Sequence, residues 1–248
     1  MKRFLSRCLI ALTCVLLLSV FASAADYVPE ADALYEKGGM ENYRNAIVLY
    51  RKALATVPND YETNWKCARA FREYGNAAKK RGVEGWEKIC AEYGKEGMGY
   101  ALKALEIEAD KVDGHYYYGL NVGIYSDGVS ILTALREGLK NKTQSSFEKA
   151  YELDKMYDEA GPILSLGRFW AVLPWPLKKK EKSLEYYREY QATAYFAQKP
   201  DGEVYFAELL IDMGGERNRE EAKAMLELAA QSEDKYFSDW ATRLLESL

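Results

Sequence analysis

The sequence predicts an all-α fold, built as a solenoid of about five degenerate helical hairpins with insertions. Three observations support this prediction. Proline is scarce, with 6 in 248 residues, and long stretches without proline favour helices. A stripe of small and bulky residues returns along the chain at helical spacing. Hydrophobic residues make up 48% and charged residues 29% of the chain, which is ordinary for a globular protein with a full core.

The first 24 residues are typical of a cleavable signal peptide. A basic segment with Lys2, Arg3 and Arg7 precedes an apolar run of about 14 residues, and small residues end the segment at Ala24. Such a run is too short for an unassisted membrane span of about 20 residues. We therefore expect cleavage after Ala24, an exported or periplasmic mature protein with no membrane span, and a single repeat domain over 25–248.

Cleavage at this place would remove three positive charges and take the net charge from −4 to about −7, which argues against nucleic acid as a partner. Two cysteines remain in the mature chain, Cys67 and Cys90. If helices cover about 62–80 and 83–109 with a turn near Gly82, the two residues are offset by ~10 Å along the helices, beyond the ~7 Å limit for a disulfide. We expect buried free thiols.

The clearest repeated pattern is a small residue, a bulky residue four positions on and a small residue three positions further. Ala46, Tyr50 and Ala53 are its first instance, and Pro58 lies just past the predicted helix end. Small residues let one helix press against its hairpin partner, while the bulky residue fills the gap to the next pair. Later instances are Gly97, Ala101 and Ala104; Phe147 and Ala150; Ser183, Tyr187 and Tyr190; and Ala222, Leu226 and Ala229. The pattern predicts that five second helices end near residues 53, 104, 150, 190 and 229.

The partner helices carry a second pattern, in which an apolar residue and Ala or Gly are followed by another apolar residue three positions on. The instances are Cys67, Ala68 and Phe71; Tyr118, Gly119 and Val122; Leu166, Gly167 and Trp170; and Phe206, Ala207 and Leu210. Glycine inside a helix costs about 1 kcal/mol relative to alanine. Its recurrence here predicts that two helix backbones approach closely.

With both patterns in view, the chain resembles the tetratricopeptide repeat (TPR) family over about 30–245. Ala46, Tyr50, Ala53 and Pro58 match the second-helix signature of that family, and the Leu166, Gly167 and Trp170 set matches its first-helix signature. The spacing between units exceeds the usual repeat of about 34 residues. The resemblance implies a TPR-like helical solenoid with insertions.

A narrower resemblance rests on GHYYYGLNVG at 114–123 and on the LG…LP stretch that follows it. Over about 60–230 these segments look like the periplasmic T-component family associated with TRAP transporters. The resemblance implies an auxiliary component of a TRAP-type solute uptake system. Such a protein would form a homo-oligomer, dock a periplasmic solute-binding protein and hold an apolar ligand. The alternative is a generic TPR scaffold that mediates protein–protein interactions in the cell envelope.

His115 is the single histidine of the chain. It precedes Tyr118 by three residues and Gly119 by four, which places it on the inner stripe of a first helix. The chain has no second histidine, and no cysteine lies at zinc-site spacing from His115. No nucleophile or phosphate-loop motif accompanies this residue. We expect a partly buried packing residue, hydrogen-bonded to a neighbouring helix. The sequence predicts no catalytic residue, no metal site and no cofactor, and the protein is not expected to be an enzyme.

The concave groove of a repeat array is the first candidate binding site. First-helix residues one step round from the packing stripe would line it, and an extended peptide or an apolar anion would suit their aromatic and arginine side chains. These residues are Trp65, Arg69, Tyr116, Leu120, Leu164, Arg168 and Glu208.

The second candidate surface is the irregular segment RFWAVLPWPLKKKEKS at 168–183. Pro174 and Pro176 force the preceding helix to end. Trp175 between them would either fold back on the repeats or project as an interface anchor. The lysines that follow would form either a solvated helix start or a docking patch for an acidic partner; they are Lys178, Lys179 and Lys180.

Overall fold

The structure is a computed structural model that describes residues 27–248. The predicted signal peptide, residues 1–24, lies outside the described residues. Within 27–248 the chain forms helices joined by short turns and contains no β-strand. The prediction of an all-α fold is confirmed.

Twelve helices cover most of the described chain. Helix α1 covers residues 27–37. The others are α2 (Met40–Thr56), α3 (Tyr61–Lys80), α4 (Trp86–Ile107), α5 (Val112–Gly128), α6 (Ile131–Arg136), α7 (Leu139–Asp154), α8 (Tyr157–Val172), α9 (Lys180–Gln191), α10 (Pro200–Met213), α11 (Glu216–Ala229) and α12 (Lys235–Glu246). A short 3₁₀ turn, Phe196–Gln198, precedes α10.

The helical-hairpin arrangement agrees with the predicted repeats. The five predicted second helices are α2, α4, α7, α9 and α11, and they end at Thr56, Ile107, Asp154, Gln191 and Ala229. Each end lies within four residues of the last packing position that the sequence pattern marks. The turn predicted near Gly82 is also present, because α3 ends at Lys80.

The helices fall into two compact units that divide between Ala134 and Leu135. In the first unit α2 packs on α3, α3 on α4 and α4 on α5, and α3 also contacts α5. In the second unit α8 packs between α7 and α9, while α10 contacts α9, α11 and α12. A single domain over 25–248 stays a prediction.

In the first unit, close helix packing depends on the small residue Gly97. A Cβ atom at this position would lie 2.0 Å from Oδ1 of Asn121 on α5, so only glycine allows the two helices this approach. Asn121 is fully buried. Its side-chain amide donates hydrogen bonds to the carbonyl oxygens of Ala68 at 2.9 Å and Tyr117 at 2.8 Å, and it thereby ties α5 to α3.

In the second unit, Gly167 of α8 lies against the ring of Tyr187 of α9. A Cβ atom on Gly167 would lie 2.7 Å from two carbons of that ring. The Ser183 hydroxyl donates a 2.7 Å hydrogen bond to the Gly167 carbonyl oxygen. Ser183 and Tyr187 are both fully buried, which is the close packing of small and bulky positions that the repeated pattern predicts.

Cys67 and Cys90 are both buried free cysteines, as predicted. The Cys90 Sγ donates a weak hydrogen bond to the Gly75 carbonyl oxygen at 3.4 Å. Burial raises the pKa of the Cys90 thiol to about 11 and raises the pKa of the Cys67 thiol further, because removal from water disfavours the thiolate.

Helix α8 begins with an unusual turn. Asp158, Glu159 and Ala160 have φ values of 48°, 61° and 60°, a left-handed conformation that costs about 1–2 kcal/mol for each non-glycine residue. Regular helix continues past Pro162 to the end of α8 at Val172. This end lies just before the prolines of 174–176 and confirms the predicted break.

Candidate functional site

In the first unit, part of the predicted groove is a run of stacked side chains on α3 and α5. The Trp65 indole stacks on the Tyr117 ring, with ring centres 5.7 Å apart and planes inclined by 4°. The Arg69 guanidinium, one turn further along α3, lies 5.1 Å from the Trp65 ring centre and 3.7 Å from the ring centre of Tyr35 on α1. Such cation–π contacts contribute about 0.5–2 kcal/mol. The structure therefore joins Trp65 and Arg69 to two tyrosines that we did not predict.

Tyr116 and Leu120 are the other predicted groove residues of the first unit, and both lie on α5. Tyr116 is buried, and its ring meets the Tyr117 ring edge-on with centres 5.2 Å apart. Leu120 is half-buried. It follows Tyr117 by three residues, so the two side chains share one face of the helix.

Polar groups beside this stack are already paired with one another. The Lys66 ammonium lies 2.7 Å from a carboxylate oxygen of Asp32 and 2.6 Å from one of Glu62. The Tyr50 hydroxyl donates to the other Asp32 oxygen; burial and this bond together raise the pKa of Tyr50. In contrast, no carboxylate of residues 27–248 forms an ion pair with Arg69, and its buried Nε has no hydrogen-bond partner there.

In the second unit, Arg168 of α8 has a similar aromatic environment. Its guanidinium lies 4.4 Å from the ring centre of Tyr205 on α10 and 5.4 Å from that of Trp240 on α12. It also forms an ion pair with Glu208 of α10. Leu164, one turn before Arg168, is half-buried against the core of this unit. The structure thus joins two predicted groove residues, Arg168 and Glu208, in one ion pair.

Trp175 projects from the loop between α8 and α9. Its side chain is 90% exposed, and Val172 beside it is 51% exposed. Of the two alternatives for Trp175, the structure shows the projecting one. An open cleft of about 470 Å³ adjoins it, and Leu173, Pro174, Lys178, Lys180 and Asp212 complete its lining. We call this feature the Trp175 cleft.

Two lysines of the Trp175 cleft share one carboxylate. The Lys178 and Lys180 ammonium groups lie 3.0 and 3.1 Å from the two carboxylate oxygens of Asp212. Burial alone would raise the pKa of Asp212, but hydrogen bonds from the two lysines outweigh it and hold that pKa below its ordinary value. Lys179 is exposed and pairs with no carboxylate of the described chain. The cleft therefore carries more positive than negative charge.

His115 is half-buried, as predicted. Its Nε2 lies 2.8 Å from the carbonyl oxygen of Ala109, and since a carbonyl can only accept, this nitrogen is the protonated one. Ala109 lies in the loop between α4 and α5. The bond therefore goes to this loop, not to a neighbouring helix as we expected.

Glu203 on α10 is a buried carboxyl group that the sequence did not reveal. The residue is 8% exposed, and burial together with the neighbouring charge of Asp201 raises the pKa of its side chain. In the described part of the chain, no cluster of three or more histidine, cysteine or acidic side chains has the geometry to hold a metal ion. No helix between residues 27 and 248 is long and apolar enough to span a bilayer.

The chain is similar to a known protein family and to solved helical structures. The family model RMD1-3, described as regulator of microtubule dynamics protein 1-3, matches residues 27–175. The crystal structure of TTC0263, a thermophilic TPR protein of Thermus thermophilus, superposes with a TM-score of 0.62 at 18% identity, over 90% of this chain and 99% of that one. The MamA crystal structure gives 0.50 at 13% identity, over 91% and 93%. These similarities confirm a TPR-like fold. No curated protein sequence matches the chain.

Proposed function

Since the chain belongs to the RMD1-3 family, regulator of microtubule dynamics protein 1-3, and has a TPR-like fold, we propose that it works as a protein-binding scaffold. Helical-repeat proteins of this kind present extended surfaces to partners. The docking point that we propose is the Trp175 cleft, and the partner is a protein with an acidic surface next to an apolar side chain.

The exposure of Trp175 is the observation that carries this proposal. A tryptophan that is 90% exposed leaves a large apolar ring in water, and such rings are enriched among the residues that dominate binding energy at protein interfaces. Val172 extends the apolar surface, and the cleft beside both residues offers room for a side chain of the partner.

Charge gives the chemistry of the partner. Around the Trp175 cleft, Lys178 and Lys180 share the single carboxylate of Asp212, and Lys179 between them pairs with none in the described chain. The whole chain, in contrast, carries a net charge of −4. A basic patch on an acidic protein favours a partner whose surface is acidic, and it speeds association with that partner at low salt.

Quantitative affinity purification from extracts of the native cell tests the proposal. Wild-type protein is compared with Trp175→Ala and Lys179→Glu, and the matched controls are Leu228→Ala and Lys142→Glu, which change an exposed leucine and an exposed lysine elsewhere. We expect one protein with an acidic surface to be retained by the wild type and both controls. Each test variant should retain at least about tenfold less of this protein, because loss of one residue that anchors an interface has an effect of that size on affinity.

Two outcomes contradict the proposal. One is a partner that all five proteins retain equally, and the other is the absence of any protein that the wild type retains above background. Binding should also weaken as salt rises from low to moderate concentration, because exposed charges are screened. If binding does not respond to salt, the proposed acidic surface of the partner is wrong.

A narrower role follows from the resemblance of 114–123 and the LG…LP stretch to TRAP-associated components. In that role the protein is exported, forms a homo-oligomer, docks a periplasmic solute-binding protein and holds an apolar ligand. Light scattering and a pull-down with the solute-binding protein test it. A monomer without that partner would leave the generic envelope scaffold as the function.

Binding without turnover is also part of the proposal. His115 donates to a loop carbonyl, which is a structural role. If replacement of His115 by Ala abolished a measured turnover, an enzymatic role would replace this part of the proposal.

A further inference from the structure

The two units carry matching positions on their first helices. The residue after the small residue of the first-helix pattern is Arg69 in α3, Leu120 in α5, Arg168 in α8 and Glu208 in α10. In chain order, the pair Arg69 and Leu120 therefore corresponds to the pair Arg168 and Glu208. Tyr117 and Tyr205, three residues before Leu120 and Glu208, correspond to each other as well.

In the second unit this arrangement is complete within the protein. Arg168 lies over the Tyr205 ring, with 4.4 Å between the guanidinium carbon and the ring centre. Glu208, on the same helix as Tyr205, provides the carboxylate that pairs with Arg168. The aromatic ring orients the guanidinium, and the carboxylate compensates its charge.

In the first unit the aromatic part is present and the carboxylate is not. Arg69 lies over Tyr35 and Trp65, and Trp65 stacks on Tyr117. At the position that corresponds to Glu208 the chain has Leu120. The nearby Asp32 already pairs with Lys66 and Tyr50.

Burial alone would lower the pKa of the half-buried Arg69, but the neighbouring Tyr35, Tyr117 and Tyr50 outweigh it and hold that pKa above its ordinary value. The guanidinium therefore keeps its charge without a carboxylate partner, and its buried Nε donates to no atom of the described chain. A carboxylate is the group that best matches the planar donors of arginine. Leu120, at the position that corresponds to Glu208, is half-buried and offers an apolar side chain where the second unit has a carboxylate. The first unit therefore has a place for an acidic group together with an apolar one.

We propose that Arg69, Trp65 and Leu120 bind an acidic side chain, with an apolar side chain next to it, on an extended peptide segment of a protein partner. The carboxylate takes the position that Glu208 occupies in the second unit, and the apolar side chain packs on Leu120 and Trp65. This site is separate in sequence from the Trp175 cleft, and its test uses different residues.

The surroundings favour a peptide over a free fatty acid. Next to the stack lie the ion pairs of Lys66 with Asp32 and Glu62, and the Tyr61 hydroxyl donates to Asp113 at 2.9 Å. These groups suit the polar backbone of a peptide, whereas a long alkyl chain would have to cover them without forming hydrogen bonds.

A carboxylate built into the chain tests whether Arg69 is available. Leu120→Glu is compared with Leu120→Gln, because glutamine has the shape of glutamate but carries no charge. We expect a higher midpoint of thermal unfolding for Leu120→Glu, because the new carboxylate pairs with Arg69. The difference should disappear when both variants also carry Arg69→Gln. A difference that remains in that background, or one of opposite sign, would overturn the proposal.

A random 12-residue peptide library displayed on phage tests the ligand. On the wild type we expect enrichment of peptides in which an acidic residue adjoins an apolar one, with affinity at least about tenfold higher than for their amide counterparts. Arg69→Gln and Leu120→Glu should lose this enrichment, and Leu120→Gln should weaken it because the apolar contact is lost. Leu228→Ala, which changes an exposed leucine outside the site, should retain it.

Trp175→Ala separates this site from the proposed docking cleft, since it should leave the part of the peptide enrichment that depends on Arg69 unchanged. Enrichment that is absent on the wild type, or equally strong on Leu120→Glu, would overturn the proposal. Laurate is the comparison for a free carboxylate. If laurate binds in an Arg69-dependent manner and no acidic peptide does, the ligand is a fatty acid and the peptide proposal is wrong.

Discussion

Gly167 and Tyr187 are in direct contact across the α8–α9 hairpin, and the glycine leaves no room for even one methyl group against the ring. The Tyr187 ring is fully buried and stacks on Phe206 with ring centres 5.4 Å apart. It therefore has no space into which it could move away. This contact makes the repeated small residue of the first-helix pattern a strict requirement of the hairpin.

Replacement of Gly167 by Ala should destabilise the protein. Overpacking of a tight core costs about 1–3 kcal/mol, which exceeds the gain of about 1 kcal/mol in helix propensity. Gly99→Ala is the control, because a Cβ atom at Gly99 would meet no other atom within 4 Å, and it should be neutral or stabilising. Urea unfolding measures both variants. Equal stabilities would contradict the close contact.

Replacement of Trp175 by Ala should change the free energy of unfolding by less than about 0.5 kcal/mol, as is usual for exposed positions. Trp170, five residues earlier, is 5% exposed, and Trp170→Ala should cost about 3–5 kcal/mol. Guanidinium unfolding of both variants checks the contrast. A large loss of stability for Trp175→Ala would mean that the ring packs on the protein.

Glu203→Gln should stabilise the protein at neutral pH and leave its stability unchanged in acid. Burial raises the pKa of this carboxyl in the folded state. As the pH rises above the pKa that Glu203 has in the unfolded chain, the carboxyl loses its proton in the unfolded state before it does so in the folded state. Wild-type stability therefore falls relative to the glutamine variant. Unfolding free energies from pH 3 to pH 8 measure this, with the exposed Glu220→Gln as control. A difference that is constant with pH would contradict the prediction.

Cys90 should resist alkylation in the folded protein. Burial raises the pKa of its thiol to about 11, so at pH 8 only about one molecule in a thousand carries the reactive thiolate, and the sulfur is fully buried. Peptide mapping after iodoacetamide treatment measures the modification with and without urea. We expect iodoacetamide to modify Cys90 only when urea is present. Rapid modification of the folded protein would contradict the burial of this residue.

The helical hairpins could be predicted because they depend on local spacing. The positions of Ala46, Tyr50 and Ala53 show which face of α2 is packed, and the structure buries all three. The second-helix and first-helix patterns also indicated which helices pair into hairpins, because both patterns depend on residues close together in the sequence. The left-handed start of α8 at 158–160 has no glycine to mark it, so no pattern could predict it.

The partners of the candidate site residues could not be predicted, because they come from distant parts of the chain. Arg69 meets Tyr35 from α1, and Arg168 meets Trp240 from α12. Asp212, which pairs with the lysines of the Trp175 cleft, follows them by more than 30 residues. The sequence could place a residue on a helix face, but the facing side chain depends on how the helices pack.

Trp175 also gives the protein a natural optical reporter. The sequence has 5 tryptophans, all between residues 65 and 240, and in this described range Trp175 is the exposed one while the others are buried or half-buried. Iodide should therefore quench mainly this indole, and the lysines around it should attract the anion. Occupation of the cleft would shield the ring, so the decrease in iodide quenching can be used to titrate a partner without any attached dye.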